Sequence, residues 1–207
     1  MSRIRVKMCG MTRKEDIQHA VAIGADAIGL IFYPNSSRFV TLETATEITR
    51  AIPPFIDTVA VFVNPSVDEV KHVLGLLTIS MLQFHGEEPA SFCEQFAKPY
   101  IKAVSATSTQ HILEISQQHP NACALLIDTP SEKQKGGSGQ TFDWQKIPPS
   151  LTLPTILAGG LHAGNVSSAI RDRTLHAVDV CSGIESTAGI KDHKKMMQFI
   201  QALASNN

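Results

Sequence analysis

The sequence has no excess of charge of either sign, no long apolar run and few cysteines, and each lack removes a class of function. Lys and Arg together number 18 against 19 Asp and Glu in 207 residues. No global field draws nucleic acid or an acidic membrane surface, so an anionic ligand must be held by local donors. The opening residues, MSRIRVKMCG, carry no apolar stretch long enough for a signal peptide, and no segment approaches a membrane span. The four cysteines, Cys9, Cys93, Cys123 and Cys181, form no C-x-x-C and are too widely spaced for a zinc ribbon. A reduced cytoplasmic setting is the expectation, with no membrane or nucleic-acid partner. Asn35-Ser36-Ser37 and Asn165-Val166-Ser167 match the glycosylation pattern and, without a signal peptide, read as chance. The eight histidines show no H-E-x-x-H or other ligand spacing, and no Ser-centred nucleophile elbow is present. The Gly-rich stretch Lys135-Gly-Gly-Ser-Gly-Gln140 lacks the closing Gly-Lys-Ser/Thr of a nucleotide P-loop.

What is there is a regular alternation. Hydrophobic residues make up 43% of the chain, enough for a substantial core. Short β-rich runs at Ile4–Met8, Ala27–Phe32, Thr58–Val63, Ser80–Phe84, Tyr100–Val104, Ala122–Asp128, Thr155–Ala158 and Ala177–Val180 alternate with helical patterns. Those patterns fall at Lys14–Ile23, Leu42–Ala51, Val67–Leu76, Pro89–Phe96, Thr109–Gln118, Asp143–Ile147, Ala163–Ile170 and Asp192–Ala204. No linker or composition break divides them, so residues 1–207 read as one domain. Strand–helix alternation implies parallel strands, because each return crosses through a helix. Eight such units close naturally into an α/β (βα)8 TIM barrel. An open doubly wound sheet is the alternative, but it predicts a Gly-rich fingerprint after the first strand, and Cys9-Gly10-Met11-Thr12 is not one.

In such a barrel the chemistry sits where strands end. Leu157-Ala-Gly159-Gly160-Leu161 and Val180-Cys181-Ser182-Gly183-Ile184 end strands seven and eight. Small residues there admit a close backbone approach, and a short helix after strand eight would aim N–H groups at a phosphate. The bland reading is that these glycines only make tight turns. Asp128 ends an apolar run, a position expected to be partly desolvated, with a raised pKa suited to a general acid. Cys9 takes the corresponding place on strand one. It can act as a base only if nearby positive charge or helix N-termini lower its pKa. Equally, Asp128 could be a loop anchor and Cys9 a small buried hydrophobe. Arg38, in the loop Tyr33–Val40, has the planar fork that grips a carboxylate, although arginines are mostly solvated. Lys7 shares strand parity with Cys9, and Asp179 with Cys181, so an inward Lys7–Asp179 pair is expected, catalytic or purely structural. His85 ends strand four and reads as a structural histidine. The Gly136–Gly139 stretch follows a catalytic strand and reads as a candidate lid.

Lys7-Met-Cys-Gly10, Gly29-Leu-Ile-Phe-Tyr-Pro-Asn-Ser-Ser-Arg38, Phe62-Val-Asn64 and Leu82-Gln-Phe-His-Gly86 resemble, in order, the motifs of phosphoribosylanthranilate isomerases of tryptophan biosynthesis. Leu126-Ile-Asp-Thr129, Gly136-Gly-Ser-Gly139, Phe142-Asp-Trp144, Leu157-Ala-Gly-Gly-Leu161 and Val178-Asp-Val-Cys-Ser-Gly-Ile-Glu-Ser186 continue the likeness over nearly the whole chain. Phe84 and Ile184 stand where Leu and Val are commoner in that pattern.

The resemblance implies a cofactor-free Amadori rearrangement of a small phosphorylated substrate; whether the chain acts as a monomer or homodimer stays open in the sequence. It implies Asp128 as general acid, Cys9 as general base and Arg38 on the anthranilate carboxylate. The backbone around Gly159, Gly160, Cys181, Ser182 and Gly183 would hold the phosphate, with Asp179 beside them. Two alternatives stay open. A histidine-pathway isomerase performs the same rearrangement on another aglycone, and its resemblance would place Asp at the end of strand one. A barrel that only binds a phosphometabolite would be expected to lack Cys9 or Asp128.

Overall fold

A computed structural model of the chain describes residues 3–128, 147–148, 151–171 and 173–204. Eight parallel strands close into a barrel in chain order: β1 (Arg5–Met8), β2 (Ala27–Ile31), β3 (Asp57–Phe62), β4 (Met81–Phe84), β5 (Tyr100–Ser105), β6 (Ala124–Asp128), β7 (Thr155–Leu157) and β8 (Ala177–Val180). The strand pairing that decides closure is β1 with β8, running from Arg5 opposite Ala177 to Met8 opposite Val180. With β2 on its other side, β1 is no edge, and the open-sheet alternative is excluded. The helices are α1 (Lys14–Ala22), α2 (Leu42–Thr49), α3 (Val67–Leu76), α4 (Ala90–Glu94), α5 (Thr109–Gln118), α6 (Val166–Ile170) and α7 (His193–Ala204).

Strand alternation sorts the residues into two apolar layers. Val6, Met8, Ile28, Leu30, Phe62, Leu82 and Phe84 point outward and pack with helix residues such as Ile17, Ala45, Ile48, Val70 and Val73. Cys9, Val59, Val61, Ile101, Ala103, Leu126, Ile156 and Ala177 fill the barrel interior, with Cys181 packed against them. Polar caps start several helices. Ser66 and Glu69 form a reciprocal capping box on α3, and Thr41 and Ser108 accept from the third residues of α2 and α5.

Two helices are shorter by three residues than the sequence pattern predicts. Pro89 caps α4 rather than opening it, and Ala97 leaves at a positive φ of 51°, so only Ala90–Glu94 is helical. At the start of α6, the Asn165 side chain bonds His162 N–H and the Gly160 carbonyl, diverting 163–165 into a turn. After β8 the chain makes a 3-10 turn (Ser182–Ile184) and an antiparallel pair, β9 (Glu185–Thr187) and β10 (Ile190–Lys191), that periodicity did not reveal. The expected helix at 143–147, apart from its last residue, and the Gly-rich stretch 135–140 lie outside the described residues. Among the described residues, no helix is long and apolar enough to cross a membrane.

Candidate active site

The residues singled out from the sequence gather at one end of the barrel, where the strands finish. Cys9 directly follows β1, and its N–H donates to the Val180 carbonyl at 2.9 Å, extending the ladder toward Cys181. Two residues earlier, Lys7 and Asp179 are register partners, and their side chains meet at 2.9 Å with both nearly buried. The inward pair expected from parity is therefore present. Burial disfavours the Lys7 ammonium, but the Asp179 carboxylate and Cys9 outweigh it and push its pKa up.

Cys9 is 5% exposed, and its pKa is lowered to about 6. The main cause is a hydrogen bond from the Cys181 thiol; burial opposes it, and the Lys7 ammonium adds to it. The direction matches the need for a base, while its chief source is a residue the sequence left without a side-chain role. The same bond, with burial, pushes the Cys181 thiol up. Glycines make room for these sulfurs. A Cβ on Gly29 would lie 2.7 Å from Cys9 Sγ, and one on Gly10 would lie 3.0 Å from Cys181 Sγ. Gly10 also has φ near 69°, a conformation that suits glycine.

Arg38 crosses directly above Gly10, whose added Cβ would sit 2.7 Å from Arg38 Cδ. Its guanidinium is not simply waiting for a ligand. Nε and one terminal nitrogen donate to the two oxygens of Glu185 at 2.8 and 2.6 Å. Glu185 also accepts from Lys191 Nζ at 2.9 Å, and the same ammonium donates to the Cys181 carbonyl at 3.1 Å. Burial works to raise the Glu185 pKa, but Arg38 and Lys191 prevail and lower it. One edge of the Arg38 fork is thus committed to the protein. Sequence reasoning missed Glu185 and Lys191, because 147 residues separate Arg38 from its partner.

Asp128 ends β6 with 31% of its side chain exposed. His85 Nε2 stands 3.2 Å from its carboxylate, and His85 Nδ1 stands 3.2 Å from the Gln83 amide nitrogen. The expected partial desolvation of Asp128 holds. His85, read from sequence as structural, belongs to the same cluster. Alternation could have found Gln83, which shares inward parity with His85 on the β4 side.

Gly159 and Gly160 follow β7 with φ of 82° and 64°. Among the described residues, nothing lies within 4 Å of a Cβ placed on Gly160. A Cβ on Gly183 would fall 1.8 Å from the Leu161 carbonyl oxygen, so the loops after β7 and β8 touch only because that residue is glycine. Ser182 opens the 3-10 turn between them. A cavity of about 1190 Å³ has Asp128, His85, Tyr33, Asn64 and Lys102 in its wall. Cys9 and the glycines are not in that wall. The cavity runs outward toward α5. No group of three metal-ligating side chains occurs among the described residues.

Residues 6–202 match the family model described as N-(5'phosphoribosyl)anthranilate (PRA) isomerase. The chain belongs to this family. It is 54% identical over 202 residues to the N-(5'-phosphoribosyl)anthranilate isomerase of Legionella pneumophila strain Paris, covering 98% of each. A crystal structure of the isomerase from Thermotoga maritima superposes with a TM-score of 0.89 at 37% identity, covering 98% of this chain and 99% of that one. Another, of the isomerase in complex with reduced 1-(o-carboxyphenylamino)-1-deoxyribulose 5-phosphate, gives 0.83 at 34% identity, with 98% and 99% covered. Membership makes the chain an enzyme, an intramolecular aldose–ketose isomerase of tryptophan biosynthesis.

Proposed function

We propose that the chain rearranges N-(5'-phosphoribosyl)anthranilate to the corresponding 1-amino-1-deoxyribulose 5-phosphate, with Asp128 as general acid and Cys9 as general base. The observation that carries this assignment is the placement of Cys9, buried at the end of β1 beside Cys181 with Lys7 two residues before it. Cys181 and the Lys7 ammonium lower the thiol's pKa, the direction a base needs. Asp128 stands on β6, across the mouth from β1, where a bound sugar can lie between the two.

Asp128 gives its proton to the ring oxygen, and the furanose opens to a protonated Schiff base. Cys9 then removes the C2 proton, the electrons flow to the iminium nitrogen, and the enolamine tautomerises to the ketone. His85 readies the acid. When its Nε2 accepts from a protonated Asp128, Nδ1 carries the other hydrogen and donates to the oxygen of a turned-over Gln83 amide. The free end of Arg38 holds the anthranilate carboxylate, with Glu185 fixing the guanidinium plane. The backbone at Gly159, Gly160 and Cys181–Gly183 receives the phosphate, in the loops where this fold commonly binds it. The ligand named in the solved complex, reduced 1-(o-carboxyphenylamino)-1-deoxyribulose 5-phosphate, carries both a carboxyphenylamino group and a phosphate, which supports this choice of substrate. Asp at the end of strand one would have favoured a histidine-pathway substrate, and Cys9 stands there instead. The test is to generate the phosphoribosyl adduct in situ with pure protein and follow anthranilate fluorescence. Protein-dependent consumption is expected, and its absence would overturn the reading.

A further inference from the structure

We propose that Cys9 and Cys181 are a redox-modifiable pair, closed by a hydroperoxide into a disulfide across the β1–β8 seam at the barrel mouth. The two residues continue the β1–β8 register one step beyond Met8 and Val180. Adjacent strands lie about 4.8 Å apart, inside the Cα separation that a disulfide spans. Both side chains belong to the same interior cluster, and Cys181 Sγ leans over Gly10 toward β1. Each thiol shifts the other's pKa, Cys9 down and Cys181 up, as neighbouring sulfurs do. Cys93 is buried on a helix, and Cys123 lies outside this cluster near the other end of the barrel.

The chemistry divides between the two sulfurs. Cys9 thiolate attacks the peroxide oxygen, the O–O bond breaks, and Cys9 becomes a sulfenic acid as hydroxide leaves. Forming the sulfenic acid removes the anion that holds the Cys181 proton. Cys181 then faces the Lys191 ammonium, whose Nζ is 3.8 Å from its sulfur, and can ionise. Its sulfur attacks Cys9 sulfur, hydroxide departs with the proton that Cys181 released, and water forms. In balance, two thiols and one hydroperoxide give one disulfide, one water and the reduced peroxide. The disulfide leaves no thiolate at Cys9. That consequence for turnover rests on the proposed role of Cys9; the linkage itself does not.

The test is to treat the intact protein at neutral pH with stoichiometric hydrogen peroxide, block free thiols, and digest with trypsin without reductant. Each cysteine falls in its own peptide, Cys9 within 8–13 and Cys181 within 174–191. The expected product is those two peptides joined, lighter by two hydrogens, with activity lost in proportion and restored by dithiothreitol. Cys123→Ser should still give the link. Cys181→Ser should instead drive Cys9 to sulfinic acid, which dithiothreitol does not reverse. Cys9 over-oxidised in the wild type with Cys181 free would overturn the pair, as would a link through Cys123. A complete link with activity retained would support the pair and overturn Cys9 as the base.

Discussion

At the scale of single residues the account makes its sharpest demands on Asp128, Cys9 and Arg38. Asp128→Asn keeps the size and the contact with His85 but has no proton to give. We expect kcat to fall at least about a hundredfold, the low end for losing a general acid; near-normal turnover would remove Asp128 from the mechanism. Cys9 sets a pH limb whose sign follows from its lowered pKa. As pH falls through about 6 the thiolate is protonated and the base is lost, so the Cys9 limb of kcat/KM should lie on the acid side and be complete before neutrality. An ordinary cysteine, near about 8.5, would leave the rate still climbing through neutrality, and that profile would contradict the assignment. Arg38→Ala should raise KM by the equivalent of about 1.5–3 kcal/mol for a charge-assisted bond. Arg38→Lys should recover only part, because one ammonium cannot grip both Glu185 oxygens and a carboxylate at once. Unchanged KM in both variants would place the carboxylate elsewhere. Cys9, Asp128, Lys7 and Asp179 were legible in the sequence because each sits at a strand end or shares its parity. Glu185, Lys191 and the Cys181 thiol were not, since their importance lies in contacts across the barrel that no local pattern encodes.

At the scale of elements, the strand order and most boundaries were legible because period-2 apolar runs and capping residues mark them locally. The α3, α5 and β8 limits coincide with those read from the pattern. The errors lie where a side chain competes with the helix, at Asn165, or where a proline caps rather than enters one, at Pro89. The β9–β10 pair escaped because two- and three-residue strands carry no period. On the proposed reading, phosphate binding depends most on the turn after β8. Gly183→Ala places a methyl against the Leu161 carbonyl and must push the β7 and β8 loops apart. KM should rise while the protein stays folded, and a dephosphorylated substrate should lose little further affinity. If Gly183→Ala leaves KM unchanged, the phosphate is not held at this junction.

At the scale of the whole molecule, barrel closure is what makes a site from residues spread over the chain. Closing β8 onto β1 sets Asp179 beside Lys7 and Cys181 beside Cys9, residues 172 positions apart in each case. The near-neutral charge balance offers no broad basic surface, so the proposed anionic substrate must be held by local donors. The central claim is that this mouth performs the isomerisation with a cysteine thiolate as base. The most direct measurement is kcat of Cys9→Ser beside the wild type, with anthranilate fluorescence following the adduct generated in situ. A hydroxyl is a far poorer base at neutral pH, so the account predicts that the variant is folded and nearly inactive while the wild type turns over. A Cys9→Ser enzyme with wild-type kcat would contradict it.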